Sequence, residues 1–90
     1  MLLLAGCTES VVGTYSNDFF GYSLTLNEDL TGRYKQGEYV VNGTYTVEDG
    51  TIIFRYKYND WGTQKTSTER FVVDGDTVEN ETGLILRRQK

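Results

Sequence analysis

The chain predicts a single all-β domain: an antiparallel up-and-down meander of about eight short strands, closed into a small β-barrel. Three observations predict it. Apolar and polar residues alternate with period two through most of the sequence. Turn signals built from Gly, Asn, Asp and Glu interrupt that alternation about every 8–12 residues. Seven Tyr and ten Gly with no Pro favour strands and tight turns over helices. An open half-barrel of about six or seven strands is the alternative.

The first run is Val11 to Ser16. The second is Phe20 to Leu26, with Phe20, Tyr22, Leu24 and Leu26 on one face, and Asn27-Glu28-Asp29 turns the chain. Thr31 to Gln36 is short and ends at Gly37. Tyr39 to Val47 follows, and Glu48-Asp49-Gly50 is a strong hairpin signal. Thr51 to Tyr58 turns Ile52, Phe54, Tyr56 and Tyr58 inward, ahead of a turn at Asn59-Asp60-Trp61-Gly62. Thr63 to Val73 is polar until Phe71, and Lys65 to Arg70 reads as a solvated strand face. After Asp74-Gly75-Asp76 come a brief run at Thr77 to Glu79 and a closing run at Leu84 to Arg88. The inward residues are then Phe20, Tyr22, Leu24, Leu26, Tyr45, Ile52, Phe54, Tyr56, Phe71, Leu84 and Leu86. In a barrel of about eight short strands, side chains of this size fill the interior.

Composition excludes several classes of function. The 90 residues make one domain. The net charge of −4, with scattered basic residues, argues against nucleic acid. With no His and one Cys, a Cys/His zinc site, a His-based catalytic group and an internal disulfide are all ruled out. The expectation is a non-enzyme with no catalytic residue, cofactor or metal. Up-and-down topology gathers the turns at Glu28-Asp29, Glu48-Asp49 and Asp74/Asp76 at one end. Clustered carboxylates could hold Ca²⁺, but Asp, Glu, Asn and Gly are also what tight turns are made of, and the turn reading is preferred.

The chain opens Met1-Leu2-Leu3-Leu4-Ala5-Gly6-Cys7. Leu4-Ala5-Gly6-Cys7 resembles the lipobox of bacterial lipoproteins at all four positions. That resemblance implies diacylglyceryl modification of Cys7 and cleavage before it. Residues 1–6 are then the remnant of a lipoprotein signal peptide, 7–10 the lipidated cysteine and a short tether, and 11–88 the barrel domain. The run before the box is shorter than an ordinary secretory signal. The alternative makes Leu2 to Leu4 a first strand and Cys7 an ordinary thiol. Lipidation implies an extracytoplasmic domain anchored to the membrane of a cell envelope. Thr8 in place of Asp resembles outer-membrane sorting in a Gram-negative host, and in a Gram-positive host means only the outer face of the cell membrane.

Gly13-Thr14-Tyr15 in the first run, the chain of hairpins and the Arg pair in the last run resemble the lipocalin-like part of the calycin superfamily. There a Gly-x-Trp motif on the first strand packs against an Arg of the last. Tyr15 stands where that Trp would be, so Gly13, Tyr15 and Arg87 or Arg88 are the expected barrel closure, with cation–π contact. The end opposite the tether carries Phe19 and Trp61, the only Trp. Trp61 is either an exposed interface anchor or a lid folded over the barrel mouth. The preferred reading is a binding or structural domain that meets a protein partner through Phe19 and Trp61. A carrier of a small hydrophobic ligand, lined by Tyr22, Tyr45, Phe54 and Tyr56, is the alternative the resemblance implies. An inhibitor of a basic hydrolase such as lysozyme is a third, by charge complementarity; the lipoproteins known for it use a disulfide. Nothing fixes the oligomeric state, and a monomer is the expectation.

Overall fold

The computed structural model describes residues 10–89; Cys7 and the leader remnant expected before it lie outside the described residues. The strands are β1 (Gly13–Asn17), β2 (Tyr22–Leu26), β3 (Thr31–Gln36), β4 (Tyr39–Glu48), β5 (Thr51–Asp60), β6 (Thr63–Asp74), β7 (Thr77–Asn80) and β8 (Ile85–Arg88). Each pairs antiparallel with the next, and β8 returns to β1 through Tyr15↔Arg88 and Ser16↔Arg87. The sheet is therefore a closed eight-stranded meander, and the open half-barrel is not formed.

Most expected boundaries shift by one or two residues, β1 for instance starting at Gly13 and not Val11, and two of the shifts shape the open end. Asn17 Oδ1 accepts the Phe20 N–H at 3.2 Å, and Gly21 adopts a φ of 72° that favours glycine. This turn takes Phe20 out of the second strand and leaves it 57% exposed instead of inward. Pairing of β5 with β6 continues to Asp60↔Thr63, so the turn expected over four residues narrows to Trp61-Gly62.

Alternation fills the interior with Tyr15, Leu24, Leu26, Tyr34, Val41, Tyr45, Ile52, Phe54, Phe71, Val78 and Leu86. Of these, Tyr34, Val41 and Val78 were not among the expected inward residues, and Tyr15 was expected at the closure. Tyr34 sits edge-on to Phe71 at 5.2 Å and to Phe54 at 6.4 Å, geometry that adds about 0.5–1.5 kcal/mol per pair beyond burial. Tyr22, Tyr56 and Leu84 are only partly buried against this core.

At the β1–β8 closure, Arg88 and not Arg87 meets Tyr15. Arg88 lies over the Tyr15 ring, its Cζ 5.2 Å from the centroid. Its Nη2 donates to the Tyr15 hydroxyl at 2.7 Å and to the Ser10 carbonyl at 3.0 Å. The Tyr15 hydroxyl donates in turn to the Val11 carbonyl at 2.8 Å, pinning the chain that enters β1. Gly13, with a φ of 145°, lies against the Arg88 stem. Arg87 points outward and is exposed. Arg88→Ala should lower stability by about 1–2 kcal/mol. The effect stays modest because, among the described residues, Arg88 Nε is buried without a hydrogen-bond partner. Arg88→Lys should recover only part of the loss, since an ammonium lacks the planar fork. Urea unfolding of the three chains checks the order.

Candidate functional site at the open end of the barrel

The two ends of the barrel differ. The lower end holds the entry to β1 and the turns over residues 27–30, 49–50 and 75–76. It is sealed from inside by Tyr45, whose hydroxyl donates to the Asn27 carbonyl at 2.7 Å. Asp29 caps its own turn, accepting from the Thr31 N–H at 3.0 Å and from the Thr31 hydroxyl. Those bonds, the hydroxyl's foremost, hold its carboxyl below the usual range. The acidic turns share this end but do not converge: among the described residues, no three acidic, His or Cys side chains are grouped to hold a metal.

The upper end is open because the strands part company there. At the top of β4, Tyr39–Asn42 pair with β3 alone, while Lys57–Asp60 of β5 pair with β6 alone. The separation begins at Gly43↔Tyr56, the first pair that joins β4 to β5. The β5–β6 hairpin thus rises beyond the wall as a two-stranded arm, in a molecule 48 Å along its longest axis.

Two aromatic ladders climb from the core to this end. One passes from buried Phe54 to Tyr56 at 5.8 Å and on to Tyr58 at 6.3 Å, up the arm. The arm ends at Trp61, which is 99% exposed with a φ of 55°. The other passes from Tyr34 to Tyr22 at 6.3 Å, to Phe20 at 6.4 Å and to Phe19 at 4.8 Å, edge-on and 87% exposed. A hollow of about 340 Å³ lies beside the second ladder, lined by Phe20, Tyr22, Thr82, Gly83 and Leu84. A larger one of about 570 Å³ lies over β2–β4 and is lined by Thr, Asn, Gly and Arg33. It has no aromatic anchor, and the open end is the better candidate.

The residues singled out from sequence therefore separate. Phe19, Tyr22, Tyr56 and Trp61 belong to the open end, on two different hairpins. Phe54 is fully buried mid-barrel, and Tyr45 seals the opposite end. Trp61 is not the folded-back lid that was one of its two readings.

Glu69 was missed. It pairs with Phe54 across β5–β6, so it shares the inner face with Phe71, and so do Ser67 and Lys65. The solvated-face reading of Lys65 to Arg70 holds for Lys65, Thr66 and Arg70; Ser67, Thr68 and Glu69 are half-buried. Burial, and secondarily the charge of Glu81, pushes the Glu69 carboxyl up. Nearby, burial pushes the Tyr34 phenol up to about 12, against the opposing pull of the Asn80 side chain. A carboxyl raised in the folded state binds its proton more tightly there than in the unfolded chain. Its contribution is fully present below the unfolded value, near 4.3, and is lost as pH rises through the folded value. Glu69→Gln should therefore raise the urea midpoint at pH 7 and leave it nearly unchanged at pH 3.

Comparison with family models, curated proteins and solved structures finds no match to this chain. The fold defines its class: a closed, eight-stranded antiparallel β-barrel.

Proposed function

We propose that the chain is a non-catalytic, lipocalin-like binding domain, tethered outside the cytoplasm through acylated Cys7, whose open end meets a protein partner. The observation that carries this reading is the exposure of Trp61 and Phe19 on two hairpins at one end of the barrel. Large aromatics displayed on loops are the residue types that dominate binding energies at interfaces, and leaving them in water without a partner gains nothing. The filled interior at Phe54 and Tyr45 favours surface recognition over an enclosed hydrophobic ligand, whose sites span about 300–1,000 Å³. The Tyr15–Arg88 closure supports the lipocalin-like reading, and Leu4-Ala5-Gly6-Cys7 supports the tether.

Two measurements test it. With a photo-reactive residue at position 61 or 19, the membrane-bound chain should cross-link to one discrete envelope protein in its host. The same group at Asp49, on the sealed end, should not. Equal adducts from both ends, or none from either, would remove the binding reading. Separately, Cys7→Ser should move the secreted chain from the membrane to the soluble fraction and abolish lipid labelling; a chain that stays membrane-bound has no Cys7 anchor.

A further inference from the structure

Among the described residues, the barrel wall has one long unpaired edge. β7 pairs with β6 only from Phe71 to Asp74, so Thr63–Arg70 has a neighbour on the β5 side alone. Parity fixes which backbone groups face the open side. The Val73 N–H donates to the Gly50 carbonyl, across to the β5 side. Odd-numbered residues of β6 thus point their N–H and C=O groups at β5, and even-numbered residues point away. Beyond Val72, the outward set is Gln64, Thr66, Thr68 and Arg70.

We propose that this edge pairs antiparallel with the same edge of a second copy of the chain, about a two-fold axis at Ser67. The register follows from parity, since outward residues must face outward residues. Placing Thr66 opposite Thr68 and Gln64 opposite Arg70 is the arrangement that uses all of them, each pair occurring twice by symmetry. The same register sets Lys65 of each copy directly opposite Glu69 of the other, at positions without backbone bonds, where facing side chains come closest. The edge is thus its own complement in charge, which selects a second copy as the occupant.

The surroundings of both charges agree. Glu69 is half-buried, and among the described residues no cation lies within ion-pair range of it. Burial already raises its carboxyl, and a facing ammonium would relieve that cost. Lys65 contacts Asp60 at 2.9 Å in an exposed pair. Such pairs contribute at most about 1 kcal/mol, so Lys65 is free to turn to the second copy. An eight-residue open edge is otherwise an invitation to uncontrolled strand addition, and closed two-fold pairing removes it.

Light scattering across a concentration series tests this on the full 90-residue chain, kept reduced so that Cys7 forms no cross-link. The expected result is a concentration-dependent dimer. Lys65→Glu and Glu69→Lys should each weaken it about tenfold, and the two together should restore it. Thr66→Pro removes an N–H that bonds nothing among the described residues of the monomer, so it should abolish the dimer while circular dichroism and Trp61 fluorescence stay unchanged. A chain monomeric at its highest soluble concentration, its edge free for a strand of another protein, overturns the proposal. So does a dimer that the paired charge reversals fail to weaken and restore.

Discussion

Gly43→Ala should destabilise the barrel by about 3 kcal/mol or more, at the upper end of what overpacking costs. A Cβ on Gly43 would sit 2.0 Å from the Arg55 carbonyl oxygen, 2.9 Å from its carbon and 3.0 Å from Tyr56 Cβ. The obstruction is backbone of the paired strand, so no side-chain rotation relieves it. β4 and β5 must separate where their pairing begins, at the point from which the arm rises. Gly32→Ala makes the comparison informative. Its Cβ would meet the Thr25 oxygen at 3.0 Å and Phe54 Cε1 at 3.1 Å, contacts that a shift of a few tenths of an ångström relieves, and about 1–2 kcal/mol is expected. Gly37→Ala meets nothing within 4 Å but sits at a φ of 65°, so about 1 kcal/mol is expected from backbone strain alone. Urea midpoints should therefore rank Gly43→Ala lowest. Equal losses at the three positions would mean that β4 and β5 do not approach as described.

Phe54→Ala should cost about 3–5 kcal/mol. Phe54 is fully buried, is the cross-strand partner of Tyr45, and forms the root of the ladder through Tyr56. A domain of this size has about 4–13 kcal/mol in total, so the variant should be partly unfolded at modest urea. Phe54→Leu should lose less, about 1–2 kcal/mol. The ring also occupies the space in front of Gly32, so the two sites should couple. Gly32→Ala should cost less in the Phe54→Leu chain than in the native one, a non-additivity that distant sites do not show. Thermal and urea unfolding of the single and double variants measures it.

Most of the fold was legible because both of its signals are local. Period-two alternation identifies each strand, and Asp49-Gly50 and Asp74-Gly75 mark their turns in the chain itself. Phe20 was misplaced because Phe20, Tyr22, Leu24 and Leu26 continue one alternation; the Asn17 side chain that folds the preceding turn lies three residues away. Tyr34 was missed because Arg33 and Lys35 beside it make a short run look solvated. Glu69 was within reach of parity, since it is two residues from Phe71, but its charge argued for the outer face. What could not be read locally is the open end. The length of the arm depends on β4 leaving β5 at Gly43, a long-range event. The direction of Trp61 depends on a positive φ at a hairpin tip, which alternation does not encode. Because the candidate site is made of these departures from the regular wall, it was less legible than the barrel beneath it.

The measurement that bears most directly on the open end as a binding surface is acrylamide quenching of Trp61, the only Trp in the chain. With Trp61 99% exposed, quenching as efficient as that of a fully solvated indole is expected in the purified folded chain, unchanged on adding urea. A shielded indole that becomes quenchable only on unfolding would place Trp61 over the barrel mouth, and would contradict the account.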